Sequence, residues 1–238
     1  MRHDIRNGLW ILPIAGIDHI VFGDFGVVRQ LKASPFNYGE NYFNHYVELY
    51  GTGIARQINC ARVNLCRPYT DRVLDIGVGA LEFIDSMNKA GLVCHGYDVN
   101  PIAEQQLKER GCWADPYEDN NGFDDMSFWD VLQHFPDPMK IIDRVNRYLF
   151  TSLPIFDSID QIRMSKHFKP NEHLWYFTRS GFVFFMEQAG FSIVEYNESE
   201  TLAGRESIGS FVFLRIKPPK HGHILSPDLL PNPYTEQQ

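Results

Sequence analysis

The sequence predicts an α/β fold. A doubly wound, mostly parallel sheet is closed by an antiparallel C-terminal strand pair and preceded by an N-terminal β arm. Three observations predict it. From Arg72 onward, short apolar runs alternate with amphipathic segments of about ten residues, the rhythm of βαβ units. The first of these runs, "RVLDIGVG", feeds a glycine turn rather than a polar loop. The last two, "FSIVEYNE" and "SIGSFVFLRIK", are separated only by a short polar loop, which an antiparallel return accommodates and a parallel crossover does not.

Each element follows from its own pattern. From Gly8 to Gln30, "LWILPIAG" and "IDHIVFGDFGVV" flank Gly16 and read as a strand pair or irregular β arm, assigned to residues 1–37. In "NYGENYFNHYVELYGTGIARQINCARVNLCRPY", Tyr42, Tyr46 and Leu49, then Ile54, Ile58, Ala61 and Leu65, recur at helical spacing, and Pro68 ends the helical region. After "RVLDIGVG" come the helix "LEFIDSMNKAG", the strand "LVCHGYDVN", and the helix "PIAEQQLKERG", with Pro101 at its start and Gly111 at its end. "CWAD" is a short third strand, "FDDMSFWDVLQHF" contains the fourth, "DPMKIIDRVNRYL" is a helix and "YLFTSLPIF" the fifth strand. A polar segment then leads into the helix "TRSGFVFFMEQAG", for which Thr178 is the expected cap. The main domain spans 38–217. The Pro-rich tail, 218–238, is expected to be extended or disordered.

Bulk composition narrows the function classes. The chain has 238 residues and 44% hydrophobic content, enough for a sizeable core. Thirty acidic against 22 basic residues give a net charge of -8, with no Lys/Arg-rich run, which disfavours a nucleic-acid partner. Cys60, Cys66, Cys94 and Cys112 form no CxxC pair and are expected to be free thiols, with no metal role. The N-terminal apolar run is broken by Pro13, and no segment approaches the roughly twenty apolar residues that span a bilayer. A cytoplasmic protein without membrane contact is the expectation.

In an open α/β sheet the ligand sits beyond the carboxyl ends of the strands, facing the first βα turn, here Asp75, Gly77 and Gly79. A dinucleotide fingerprint needs a third glycine where this chain has Glu82, whose carboxylate opposes a pyrophosphate. A ligand with one carboxylate and an ammonium, which Asp75 can pair, fits better. Asp98 ends the second strand, where a carboxylate accepts both hydroxyls of a ribose, and Asn100 is close enough to assist. Asp115 is placed either to accept from an adenine amino group, with Trp113 or Tyr117 packing beside it, or to be a solvated loop acid.

"VLDIGVG", "GYDVNP", "FWDVLQHFPDP" and "HLWYFTRSGFVFFMEQAGF", in that order, resemble the successive motifs of class I S-adenosylmethionine-dependent methyltransferases, closest to the group that includes ubiquinone-biosynthesis O-methyltransferases. The resemblance covers roughly Tyr38 to Lys217 and implies a seven-stranded Rossmann-like sheet with S-adenosyl-L-methionine as cofactor. It implies that Asp75, Gly77 and Gly79 form the first motif, that Asp98 is the ribose-binding acid, with Val99 and Asn100 beside it among the cofactor-binding residues, and that Asp115 lies on the adenine side. Asp130 and His134 fall in the motif whose end faces the methyl group. Tyr38, Tyr42 and Tyr46 belong to a segment that folds over the methionine end. One position departs from the family's G-x-G-x-G: Leu81 stands where a third glycine is usual, and either narrows the methionine pocket or packs inward.

Methyl transfer is an in-line displacement, so the protein must align a nucleophile and remove its proton. His134 is the candidate base, the alternative being a histidine that bonds the loop stiffened by Pro136 and Pro138. His173 matches a position common in the family, and with His167 is expected to contact substrate or cap a lid rather than bind metal. Among Trp175, Tyr176, Phe177, Phe182, Phe184 and Phe185, most are expected in the core, with Trp175 and Tyr176 the candidates for an apolar pocket. The leading reading is an S-adenosylmethionine-dependent O- or N-methyltransferase of a small or medium-sized acceptor. The arm caps the active site or mediates a homodimer. Two alternatives stay open: a catalytically weak or inactive protein that binds S-adenosylmethionine or S-adenosylhomocysteine, motivated by Leu81, and a methyltransferase of nucleic acid or a modified base.

Overall fold

A computed structural model describes residues 3–6, 9–22, 25–119 and 122–217. The tail expected to be extended, 218–238, lies outside the described residues. The chain opens with four strands, β1 (His3–Arg6), β2 (Leu9–Ile14), β3 (Ile17–Phe22) and β4 (Val27–Gln30), paired antiparallel in sequence. Ala15 and Gly16 turn the β2–β3 hairpin with φ of 50° and 82°, the two positive values that a tight hairpin turn requires.

The predicted single helical region is two helices, α1 (Glu40–Leu49) and α2 (Gly53–Cys66). Gly51 takes a φ of 72° and Thr52 caps α2 by accepting from the Ala55 N–H at 3.2 Å, so the chain restarts its helix there. The alternating region follows: β5 (Arg72–Ile76), α3 (Glu82–Lys89), β6 (Val93–Tyr97), α4 (Pro101–Glu109), β7 (Met126–Trp129), α5 (Met139–Ile142) and β8 (Tyr148–Phe156). The expected third strand reduces to one bridge, Gly96 to Trp113. The helix expected over residues 137–149 reduces to α5, because Asn146 and Arg147 turn their N–H groups to the Asp124 carbonyl and enter β8 instead. Then come β9 (Trp175–Thr178), α6 (Arg179–Gln188), β10 (Phe191–Asn197), α7 (Ser199–Leu202) and β11 (Ile208–Arg215).

β6, β5, β7 and β8 are parallel neighbours in that order, so the order reverses between β5 and β7 and a crevice opens at their carboxyl ends. β11 returns antiparallel along β8, and β10 pairs with β11, as the sequence predicts. β9, which the sequence reading took as the lead into a helix, is a strand: it pairs with the last two residues of β8 and, on its other edge, with β4.

That pairing changes the status of the N-terminal arm. β4 is buried along its whole length, and Ile20, Phe22 and Val27 share one core with Leu74, Phe128 and Leu153 of the parallel sheet. The close approach is built into Gly181, since a Cβ there would lie 2.5 Å from the Gly26 carbonyl oxygen. Thr178 joins the same corner, capping α6 by accepting from the Gly181 N–H at 3.0 Å and donating to the Phe25 carbonyl at 3.2 Å. Among the described residues no helix is long and apolar enough to cross a membrane.

Candidate active site

A cavity of about 500 Å³ lies at the carboxyl ends of β5, β6 and β7, walled on the far side by α1 and α2. Its floor is the turn after β5. Gly77 takes a φ of 78°, and a Cβ on it would lie 2.4 Å from Val131, so only glycine lets this turn pass the chain leaving β7. Asp75 is 1% exposed and accepts from the Ser127 hydroxyl at 2.6 Å. Burial pushes its carboxyl up to about 7, against the opposing pull of Ser127 and Arg62. Asp98 is also raised by burial, while backbone N–H groups of Asn100, Gly79, Val78 and Val99 pull the other way. Two acids held at such cost beside a glycine turn fit the ammonium and the hydroxyls of S-adenosyl-L-methionine.

Leu81 is fully buried among Val73, Phe83, Ile84 and Trp129, and is not part of the cavity wall. It holds the left-handed conformation that the usual glycine would take, with φ of 64°. Its side chain packs inward, which removes the reason for reading the chain as inactive. Glu82 opens α3 with its carboxylate on the wall, accepting from the Gly51 N–H at 3.0 Å.

Other expected site residues divide. Tyr38, Tyr42, Asp98, Val99, Asn100, Asp130 and His134 all line the cavity. Asn100 is not available to a ribose, because its Oδ1 caps α4 at Ile102 N, 2.9 Å, and its Nδ2 donates to the Tyr38 and Gly39 carbonyls. It fastens the Tyr38 segment to the second strand instead. Asp115 is outside the cavity wall and accepts from the Tyr117 N–H at 2.8 Å. Tyr97, which the sequence reading missed, lines the wall and meets Tyr117 edge-on at 6.1 Å. Trp175 and Tyr176 are core residues, 3% and 1% exposed, because β9 inserts between β4 and β8.

The far end of the cavity is polar. Asp130 follows β7 with φ of 62°, and His134 ends a single turn, Leu132–His134. Tyr38 Oη lies 3.2 Å from His134 Nδ1, and Tyr42 and Tyr46 continue the line of hydroxyls 3.1 Å apart. His173 is 2% exposed, behind His134 at a ring separation of 4.8 Å, and does not line the cavity. Burial lowers both imidazoles, His173 to about 3, so both are neutral. His173 is placed by two backbone bonds at Leu174: its N–H donates to the Gln133 carbonyl, and its carbonyl accepts from Gln30 N, both at 2.8 Å.

Asp130 is held from two sides, by Gln133 Nε2 at 2.6 Å and Arg205 Nη2 at 2.6 Å. Arg205 also binds Glu200 at 2.7 Å, and Arg62 closes the chain on Glu200 with bonds of 2.7 and 3.0 Å. Burial alone would raise the Asp130 carboxyl, but the Arg205 guanidinium, by its charge and its hydrogen bond, outweighs it and holds the carboxyl well below the carboxylate range. Arg205 carries no local sequence signal. It reaches the cavity because antiparallel β11 begins beside Pro154, at the carboxyl end of β8.

Comparison with known proteins agrees with this geometry. No curated protein matches the chain in sequence. A family model described as "Methyltransferase domain" matches residues 52–196. Among solved structures, magnesium protoporphyrin IX methyltransferase from Synechocystis PCC 6803, with bound S-adenosylhomocysteine, is 14% identical, with a TM-score of 0.56 over 75% of this chain and 96% of that one. A SAM-dependent methyltransferase from Thermotoga maritima is 13% identical, with a TM-score of 0.51 over 74% of this chain and 97% of that one. The CcbJ methyltransferase from Streptomyces caelestis is 9% identical, with a TM-score of 0.51 over 71% and 94%. Identities of this size speak to the fold; the family model speaks to membership. This chain belongs to the methyltransferase-domain family, and is a class I S-adenosylmethionine-dependent methyltransferase.

Proposed function

We propose that the protein methylates an oxygen or nitrogen of a small or medium-sized acceptor, bound at the Tyr38–His134 end of the cavity. One observation carries this reading: a neutral, half-buried imidazole, His134, stands on the cavity wall across from the glycine turn, with Tyr38 at 3.2 Å on Nδ1. Asp75 and Asp98 hold the cofactor, which supplies the methyl group when bound. Tyr38 and the turn at Leu132–His134 orient the imidazole, and His134 takes the acceptor's proton. Asp130, kept ionised by Arg205, stabilises the imidazolium so formed. The tyrosine line at Tyr38, Tyr42 and Tyr46 excludes water and shapes an aromatic-walled acceptor pocket.

The test is incubation of the protein with methyl-labelled S-adenosylmethionine and a fractionated metabolite extract, read by mass spectrometry. Labelled product of low molecular mass is expected, with kcat lowered on the order of 10²–10⁴ in His134→Gln. Label found only in nucleic acid or protein, or in nothing at all, would overturn the proposal.

A further inference from the structure

We propose that Asp130, His134 and His173 form a binding site for one divalent first-row transition cation at the acceptor end of the cavity. One ligand atom from each of the three residues lies within 4.8 Å of the others. Two imidazoles and a carboxylate suit zinc, iron(II), cobalt or manganese, whereas magnesium and calcium prefer all-oxygen surroundings. Metal–ligand bonds of about 2.0–2.2 Å place tetrahedral ligands roughly 3.3–3.6 Å apart, so the cluster closes on a cation by side-chain rotation.

The surroundings are those of a supported ligand set. His173 Nδ1 sits 3.0 Å from the His167 carbonyl, which fixes Nδ1 as the donor and leaves the lone pair on Nε2. His134 Nδ1 faces the Tyr38 hydroxyl, which orients its ring likewise. Gln133 and Arg205 each occupy one lone pair of a different Asp130 oxygen, leaving the second lone pair on both. The Gln133 amide oxygen, on the amide that donates to Asp130, is buried and has no hydrogen-bond partner among the described residues. An ion pair between Asp130 and Arg205 needs no histidine, and the convergence of two neutral imidazoles on it is what a cation explains.

The proposal rests on the reading of this end as the acceptor's, and it sharpens that reading. Arg62 and Arg205 are balanced by Glu200 and Asp130, so a bound dication leaves two positive charges to be met. An acceptor that can ionise at oxygen fits this charge, since a hydroxyl meeting the cation would pass its proton to water and offset one of the two. With the cation bound His134 would serve as a ligand, and in the cation-free protein it is the base of the proposed function.

Titration of the chelator-treated full-length protein with Co²⁺ and Zn²⁺, followed by visible spectroscopy and calorimetry, tests this. One saturable equivalent with d–d bands is expected, with affinity lowered at least tenfold in His173→Gln and in His134→Gln and unchanged in His95→Gln. Circular dichroism checks that each variant is folded. Absence of saturable Co²⁺ binding, parental affinity in both site variants, or sulfur-to-cobalt charge-transfer bands that assign the ion to cysteine would each overturn it. A parallel titration with S-adenosylhomocysteine keeps the readings apart. Its failure with cation binding intact overturns the cofactor assignment alone, and cation failure with its binding intact overturns the metal site alone.

Discussion

Asp75 is the residue at which the proposed cofactor binding and folding pull in opposite directions. Its carboxyl, raised from 3.8 to about 7 by burial, keeps a proton in the folded protein that the unfolded chain releases. Its contribution to stability is therefore full below about pH 4, declines as pH rises, and is lost above about pH 7, a change of at most roughly 4 kcal/mol. Asp75→Asn should remove that slope. Urea unfolding of the cofactor-free variant is expected to give higher stability than the parent at about pH 8, together with weaker S-adenosylhomocysteine binding; equal pH slopes would count against a protonated Asp75. Leu81 poses a different balance. Glycine would relieve a left-handed backbone worth about 1–2 kcal/mol but delete a buried leucine worth about 2–5 kcal/mol. Leu81→Gly is expected to lower the thermal midpoint and to leave cofactor affinity unchanged or weaker; tighter binding would mean that the side chain crowds the pocket after all.

Elements were legible in the sequence to the degree that their patterns are local. β5, α3, β6, α4, β8, β10 and β11 sit where periodicity, Pro101 and Gly111 put them, because apolar alternation and helix caps act within a few residues. β9 was hidden because "WYFT" is too short to show alternation, and its partners β4 and β8 are distant in sequence. With β9 unseen, Trp175 and Tyr176 looked free to line a pocket, and the arm looked separable. The site was half legible for the same reason. Asp75, Gly77, Asp98 and His134 end strands or turns that a motif marks. Arg205, Arg62 and Tyr97 reach the cavity only through tertiary placement. The Asp130–His134–His173 cluster combines one motif with a residue delivered by the strand that was missed.

At the scale of the whole molecule, the arm, the parallel sheet and the cavity are one structure. The core that holds Leu74 and Phe128 also holds Ile20 and Val27, so the strands before the catalytic region are part of its scaffold. The net charge of -8 and the aromatic wall are in keeping with a small acceptor rather than a polyphosphate chain. The bonds that run from Gln30 through Leu174 to Gln133 have a dynamic consequence. Opening of β4 must break the same link that seats His173, so the amide protons of Gln30 and Leu174 should exchange with solvent deuterium at one common rate, set by a single cooperative opening. Hydrogen–deuterium exchange read by mass spectrometry checks this, with slower exchange at both expected once ligand fills the cavity. Independent rates would mean that the N-terminal strands open without the histidine loop. A common rate would make the arm a clamp whose breathing sets how often the His134 end of the cavity loosens.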